Sequence, residues 1–224
     1  MKTILFVLFF AALAAASAHA APRAGVIEYA AGPVTVEAGG AKRDVQKGAA
    51  LAEGDVVATS ESATAIVRLS DGSRLKLKGG SRLELTPRPN SRVTAVMLYL
   101  GGVFAQITKR AGGQEFEVRT PGAVAAVRGT QFFAAFGRAH GKNRDLWVCV
   151  NEGAVDVGSN SAKERLRVPA GQGVLIKGER DLTKPQPYEW TKKLNWNMDA
   201  ASGAVEDKTN LDSAYADLLD QDYR

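Results

Sequence analysis

The sequence predicts an all-β domain, a two-sheet β-sandwich of jelly-roll type carrying a short helical C-terminal tail. Three observations predict it. Short apolar–polar alternating runs follow one another along most of the chain, as strands half-buried on a core do. Gly, Asp-Gly and Asn-x-Gly turns separate them at spacings of about 8–12 residues, the rhythm of a sandwich or barrel. One unit also recurs. Gly32-x-Val34-x-Val36, a polar loop and Val45-x-x-Gly48 parallel Gly153-x-Val155-x-Val157, a polar loop and Val168-x-x-Gly171, with Gly102-Val103 through Ile107 as a degenerate third copy. Repeated hairpins of this kind stack into two facing sheets. A short β-helix is the alternative, since turn-rich rungs give a similar period.

The elements follow in order. Gly25–Val36 reads as one or two short strands joined at Ala31-Gly32, and Glu37–Asp44 as a polar hairpin loop before Val45 resumes the sheet. Gly54-Asp55 marks a turn between Leu51 and the strand Val56-Val57. Ala63–Leu69 and Arg74–Leu77 flank Ser70-Asp71-Gly72-Ser73, and Asp-Gly between alternating runs is the strongest short hairpin signal. Gly79-Gly80 turns the chain into Leu83–Leu85, and Thr86–Ser91, with its two prolines, is a loop. Arg92–Leu100 and Val103–Ile107 read as the next hairpin, with Gly101-Gly102 as its turn and the basic, glycine-rich loop Lys109–Gln114 beyond. Gln131–Phe136 and Asp145–Val150 flank a basic loop, Gly137–Arg144, and Asn151-Glu152-Gly153 turns into Ala154–Val157. Val174–Ile176 is the last strand, which closes a domain spanning residues 25–180.

The stretch Phe116–Phe133, FEVRTPGAVAAVRGTQFF, organises the rest. Phe116 and Val118 alternate with Glu117 and Arg119 as a strand. Thr120-Pro121-Gly122 breaks the ladder, because Pro121 has no N–H to donate. Val124–Val127 is too apolar and short for a surface helix, so it is expected to lie buried under the sheet. Arg128 then stands at the edge of an apolar run, where a cation needs hydrogen-bonded partners or an opening to water.

These residues carry a family resemblance. TP-x-AVAAVRGTxF, with the earlier GD-x-V-x-T and LSDGS-x-L-x-L, resembles the FecR-type periplasmic sensor domain from about Gly25 to Ile176. FecR-type regulators sense a signal outside the inner membrane and control a sigma factor inside it, through a cytoplasmic helical segment, one membrane helix and the periplasmic domain. The first two are not evident here, so the resemblance implies an exported, non-catalytic β module that binds something, not the sigma-factor role.

The address is written at the N-terminus. Lys2, the apolar run Ile4–Ala16 and Ala18-His19-Ala20 form a signal peptide over residues 1–20, cut before Ala21; a retained membrane anchor is disfavoured because that run is short of the ~20 residues a span needs. The expected location is periplasmic or secreted. Cys149 is the only cysteine and lies in an apolar strand, so it reads as a small buried hydrophobe. The formal charge of +5 is uneven: residues 181–224 hold nine acids and five bases, net −4, which leaves +8 between Ala21 and Arg180. The basic residues are scattered and not interleaved with aromatics, so the excess reads as solubilising and no nucleic-acid partner is expected.

Catalysis has little support. After export His140 is the sole histidine, with no nucleophile or orienting acid in view. No metal-ligand spacing and no phosphate-cradling glycine loop leads into a helix, so no cofactor and no metal are expected. The candidate binding residues are Arg128, Gly129 and Thr130, together with Asp55, Asp71, Gly72 and Glu152, which would meet a ligand at one rim of the sheets. The preferred reading is structural, turn capping for the acids and, for Arg128, a five-donor fork tying neighbouring carbonyls or acids together, with ligand contact as the alternative. Beyond Arg180, Lys184-Pro185-Gln186-Pro187 is a stiff linker, Trp190 and Leu194 share a helical face, and Ala200–Lys208 has linker-like composition. Asn210 caps a helix with Leu211, Ala214, Tyr215, Leu218 and Leu219 on one face. So short a helix is marginal alone, and Asn210–Tyr223 is expected to dock on the protein's own sheet or in a partner's groove, with Trp190, Leu211, Tyr215 and Leu218 as its anchors. The partner is an envelope protein, a glycan or a small ligand. The alternative function is a structural envelope scaffold without a small ligand.

Overall fold

The computed structural model describes residues 23–87, 93–109, 114–160 and 165–220. The signal segment, most of the Thr86–Ser91 loop, part of the Lys109–Gln114 loop and Tyr223 lie outside the described residues.

Most strands occur where the alternation placed them; Ala41–Asp44, expected as part of a loop, is a strand paired in a hairpin, and a short strand, Asp181–Leu182, follows the one expected to be last. The first are β1 (Arg23–Ala31), β2 (Val34–Ala38), β3 (Ala41–Asp44), β4 (Ala50–Ala52), β5 (Val56–Thr59), β6 (Thr64–Leu69), β7 (Arg74–Leu77) and β8 (Arg82–Leu85). They lead to β9 (Val93–Gln106), β10 (Glu115–Arg119), β11 (Ala123–Val127), β12 (Gln131–His140), β13 (Asn143–Glu152), β14 (Ala154–Ser159), β15 (Leu166–Pro169), β16 (Gly173–Lys177) and β17 (Asp181–Leu182). Two sheets result. Sheet A runs β4-β1-β6-β7-β9-β12-β13-β16-β17, and sheet B runs β3-β2-β5-β8-β9-β10-β11-β14-β15. Every pairing is antiparallel except β10 with β9.

The long strand β9 belongs to both sheets, which corrects the expected hairpin at Gly101-Gly102. Its first half pairs with β8 and β10, its second with β7 and β12. At Gly101 (φ +88°) the chain bends from one sheet into the other. A Cβ there would sit 2.5 Å from Ser81 Cα, so only glycine fits the crossing. The repeated unit is equally an arch between sheets: β1–β2–β3–β4 and β13–β14–β15–β16 each place two strands in sheet A and a hairpin at one edge of sheet B. Val124–Val127 is a strand of sheet B rather than a segment beneath it, because Thr120-Pro121-Gly122 closes a β10–β11 hairpin. The Gly137–Arg144 loop shrinks to a turn, since β12 continues to His140 and β13 starts at Asn143.

The inner faces interdigitate in one core. Ile27, Leu75, Val103, Phe132 and Val148 come from sheet A, and Val36, Val57, Leu83, Phe116 and Val157 from sheet B. A second apolar cluster lies on the outer face of sheet A. Phe104, Phe133, Trp147 and Leu175 are covered there by Tyr188, Leu194, Met198, Ala214, Tyr215 and Leu218 from the C-terminal segment. That segment holds α1 (Glu189–Lys193) and α2 (Leu211–Asp220). As expected, Asn210 caps α2: its Oδ1 accepts the Ser213 N–H at 3.0 Å. The tail anchors therefore face the protein's own sheet. Tyr215 and Leu218 are buried in the second cluster, and Trp190 and Leu211 pack against it. Of the two expected dockings, the structure shows the one on the protein's own sheet, where the apolar stripe buries itself on the outer face of sheet A.

Candidate functional site

The turn between β11 and β12 decides the geometry of one rim of the sandwich. Gly129 (φ +138°) passes against the chain leaving β9, where an added Cβ would lie 2.7 Å from Lys109 Cγ and 2.9 Å from Lys109 Cα. Thr130 Oγ1 donates to Ala154 O at 3.1 Å, and Ile107 N–H donates to Thr130 O at 2.9 Å. The Arg-Gly-Thr sequence thus ties the β9 exit, the β11–β12 arch and the β13–β14 arch together. Arg128 projects from this knot with its side chain 68% exposed, its Nη2 and Nε donating to Glu115 Oε1 at 2.7 and 3.1 Å. The guanidinium therefore opens to water and bonds one carboxylate, not the carbonyl network a buried arginine would hold.

Two open clefts adjoin at this rim and share Lys109, Gly129 and Thr130. The larger, about 550 Å³, is walled by Glu115, Arg128, Asp156 and Arg167. The smaller is lined by Gly72, Arg74, Gln106 and Glu152. Arg167 lies 3.7 Å from Asp156, while Lys109 has no salt-bridge partner among the described residues. Cations therefore outnumber acids in the larger cleft. Of the seven predicted rim residues, Arg128, Gly129, Thr130, Gly72 and Glu152 line these clefts. Asp71 sits in the adjacent β6–β7 turn, where its Oδ1 accepts the Ser73 N–H at 2.9 Å. Asp55 is buried in the β4–β5 turn and accepts the Ala52 N–H at 2.9 Å, so it stands apart as a turn cap.

Comparison with known proteins follows this geometry. Residues 55–156 match the family model described as FecR protein. Residues 55–156 are a FecR domain. Two crystal structures of a candidate anti-sigma factor from Parabacteroides distasonis, at 1.65 and 2.50 Å resolution, share the fold. Each is 19% identical with a TM-score of 0.52, over 62% of this chain and 61% of that one. The likeness thus spans about three-fifths of the anti-sigma factor's chain, and at that identity it establishes the fold. No curated protein matches the sequence. All residues that wall the larger cleft except Arg167 fall inside the FecR match.

Outside that rim the structure exposes residues that alternation alone concealed. Lys76 and its neighbour Lys78, just beyond β7, point outward from sheet A, yet the C-terminal segment covers both. Lys76 Nζ donates to Asn195 O at 2.6 Å and Asn197 O at 2.8 Å and lies 4.3 Å from the Phe104 ring centre. Burial lowers its ammonium to about 8, against the pull of Asp207. Lys78 Nζ pairs with Asp207 Oδ1 and donates to Asp207 O at 2.9 Å and Thr209 O at 3.2 Å. Burial pushes the Asp207 carboxyl upward, but the Asn195 N–H at 2.6 Å, Lys78 and the Thr209 N–H together hold it below its usual range. The Ala200–Lys208 stretch therefore supplies the buried partner of Lys78 rather than acting as a linker. Cys149 lies under the same cover, and burial pushes its thiol up to about 12, so it is inert at neutral pH. His140, at the end of β12, has Nδ1 3.5 Å from Asp145 Oδ1. Arg138 and the Gly178 N–H hold that carboxylate at 3.0 and 2.7 Å, which makes it a structural anchor for the turns at the opposite rim.

Proposed function

We propose that the chain is an exported, non-catalytic FecR-type binding module of the bacterial cell envelope, which senses a ligand or partner at the rim cleft as part of a signalling system. The observation that carries the reading is the coincidence of the FecR match with the cleft walls: Lys109, Glu115, Arg128, Gly129, Thr130 and Asp156 all lie within residues 55–156. The anti-sigma-factor character of the structural neighbour supports a regulatory setting. The signal-peptide pattern of residues 1–20 supports export. The excess of cations over acids in the larger cleft favours an anionic or carboxylate-bearing ligand. Arg128 is the group to bind it, because its guanidinium is already poised on one carboxylate and opens to solvent.

The test is a titration of the isotope-labelled mature protein with inorganic phosphate, a short dicarboxylate and an acidic N-acetylated disaccharide. The reading expects at least one probe to shift the amide resonances of Lys109, Gly129 and Thr130, with the shifts lost in Arg128→Ala. Shifts confined to other surfaces, or none across the panel, would overturn it in favour of a structural scaffold. Intact mass and osmotic release decide export: a mature N-terminus at Ala21 is expected, and retention of residues 1–20 in a membrane-bound species would refute it.

A further inference from the structure

The segment that crosses the outer face of sheet A is held unlike the rest of the fold. Thr183 N–H still donates to Leu175 O, and Gln186 and Gly173 exchange backbone hydrogen bonds. From residue 187 to 220, no backbone–backbone bond joins the segment to the sheet among the described residues. Its attachments are side-chain contacts: Lys76 and Lys78 reaching its carbonyls and Asp207, Gln131 Nε2 donating to Trp196 O at 3.0 Å, and Tyr215 Oη donating to Ala135 O at 3.0 Å. The last helix adds little of its own. It carries Asp212 in its first turn, no base in its last, and the acid Asp217 towards its C-terminus, where the helix dipole disfavours it.

The fit is also incomplete at its centre. Trp147 is fully buried beneath the strap, and its Nε1–H meets no acceptor in hydrogen-bonding geometry among the described residues, with the weakly accepting Cys149 sulfur near it. The strap's own indoles are satisfied, Trp190 by Asp217 at 2.9 Å and Trp196 by Thr191 O at 2.8 Å. The covered face therefore offers two ammonium groups, an aromatic floor of Phe104, Phe133 and Trp147, and one donor the strap leaves unused.

We propose that the outer face of sheet A is a docking site for a polypeptide segment of a partner protein, acidic and flanked by aromatic anchors, and that residues 187–220 are its tethered, displaceable occupant. Charge complementarity selects that chemistry: a net −4 tail lies on a body of +8, and a buried Asp207 answers a buried Lys78. A partner that also supplies an acceptor to Trp147 Nε1 gains a bond the strap lacks. Tethering gives the strap an effective concentration in the millimolar range, so in the resting protein it holds the face against weaker competitors. This surface borders the smaller rim cleft at Gln131 but is separate from the larger one, so its test stands whatever the larger cleft binds.

Hydrogen exchange of the full mature chain comes first. The strap amides are expected to exchange as one unit, at least ~10-fold faster than those of β12 and β13, as a separately opening element does. Exchange of strap and sheet together would overturn the proposal. A fluorescein-labelled peptide of residues 187–220 is then titrated onto the full wild-type chain and the full Asp207→Asn chain, whose own strap is loosened without loss of shape. Binding is expected to be about tenfold tighter to the variant, as removal of a buried charge partner implies. Equal affinity, or no saturable binding to either, would refute the docking face. Finally, a displayed random-peptide library is selected on the Asp207→Asn chain. Enriched sequences should carry an acid between aromatic residues and compete with the strap peptide. Basic or purely aliphatic sequences would overturn the assigned chemistry. A concentration-dependent dimer of the wild-type chain would assign the face to a second copy and overturn the partner reading.

Discussion

Lys76 provides a direct test of how the C-terminal strap is held. Its ammonium is almost fully buried, and burial lowers it to about 8 from the ordinary lysine value of 10.5. The sign follows from linkage. Below pH 8 folded and unfolded chains both hold the proton, and the desolvation penalty is constant. Between pH 8 and 10.5 the folded chain releases the proton while the unfolded chain keeps it, so stability rises with pH. At ~1.4 kcal/mol per unit of separation the ceiling by pH 10 is about 2.5 kcal/mol, and partial water access on strap opening brings the expectation to about 1.5–2.5 kcal/mol. Other groups titrate over the same range, so the readout is the difference between the wild-type chain and Lys76→Met. At pH 7 that variant trades relief from a buried charge against two carbonyls, Asn195 O and Asn197 O, left without their donor, and its net effect there is small by comparison. Urea unfolding followed by tryptophan emission at pH 7, 8, 9 and 10 gives the two curves. The wild-type midpoint should climb relative to Lys76→Met, with most of the gain above pH 8. Parallel curves would show that Lys76 reaches solvent in the folded protein and would refute the sealed geometry.

Tyr215→Ala should destabilise the strap-covered state by about 3–5 kcal/mol, as loss of a buried aromatic does, whereas Tyr215→Phe should cost only about 1 kcal/mol for the bond to Ala135 O; chemical denaturation separates the two. Gly129→Ala combines a left-handed backbone with a contact to the Lys109 backbone and should cost about 1–3 kcal/mol, read as a fall in melting temperature. Arg128→Lys alters an exposed pair and should change stability by less than about 1 kcal/mol, so an unchanged denaturant midpoint is expected. Cys149 should resist a thiol reagent at pH 8 until denaturant is added, since its thiolate is suppressed by burial.

Most of the strands were legible because each needs only local alternation and a turn residue. Asp71-Gly72 at the β6–β7 hairpin and Gly153 between β13 and β14 fell where their backbone freedom is used. The misreadings share one cause. Gly101-Gly102 between two alternating runs specifies a change of direction, but whether the chain folds back or crosses to a second sheet depends on which strands await it. Here β8 and β10 take one half of β9 while β7 and β12 take the other. Val124–Val127 likewise looked detached from the sheet because it lacks polar alternation; β10 adjoins it across a tight turn, but β14, which covers its other edge, comes only after two intervening strands.

The site divides along the same line. Arg128-Gly129-Thr130 could be found from sequence because a cation at the edge of an apolar run needs partners or water and because VRGT carries the family resemblance, and the rim then gathers Gly72 and Glu152 around it. Lys76 and Lys78 could not. In Arg74-Leu75-Lys76-Leu77-Lys78 the charged positions alternate with core leucines, which is the pattern of a face turned to water. Only a segment more than a hundred residues later, reaching back through Asn195, Asn197 and Asp207, turns that face into an interior. Burying two cations is a costly way to hold a strap if cohesion were all that was required, since apolar residues at those positions would bind it at least as well. What the lysines add is selectivity for carbonyl and carboxylate oxygens placed at two fixed points, so the face accepts one chemistry of segment and rejects greasy ones. A cover that is specific, attached by side chains and imperfectly matched at Trp147 has the properties of a recognised ligand more than those of a permanent wall.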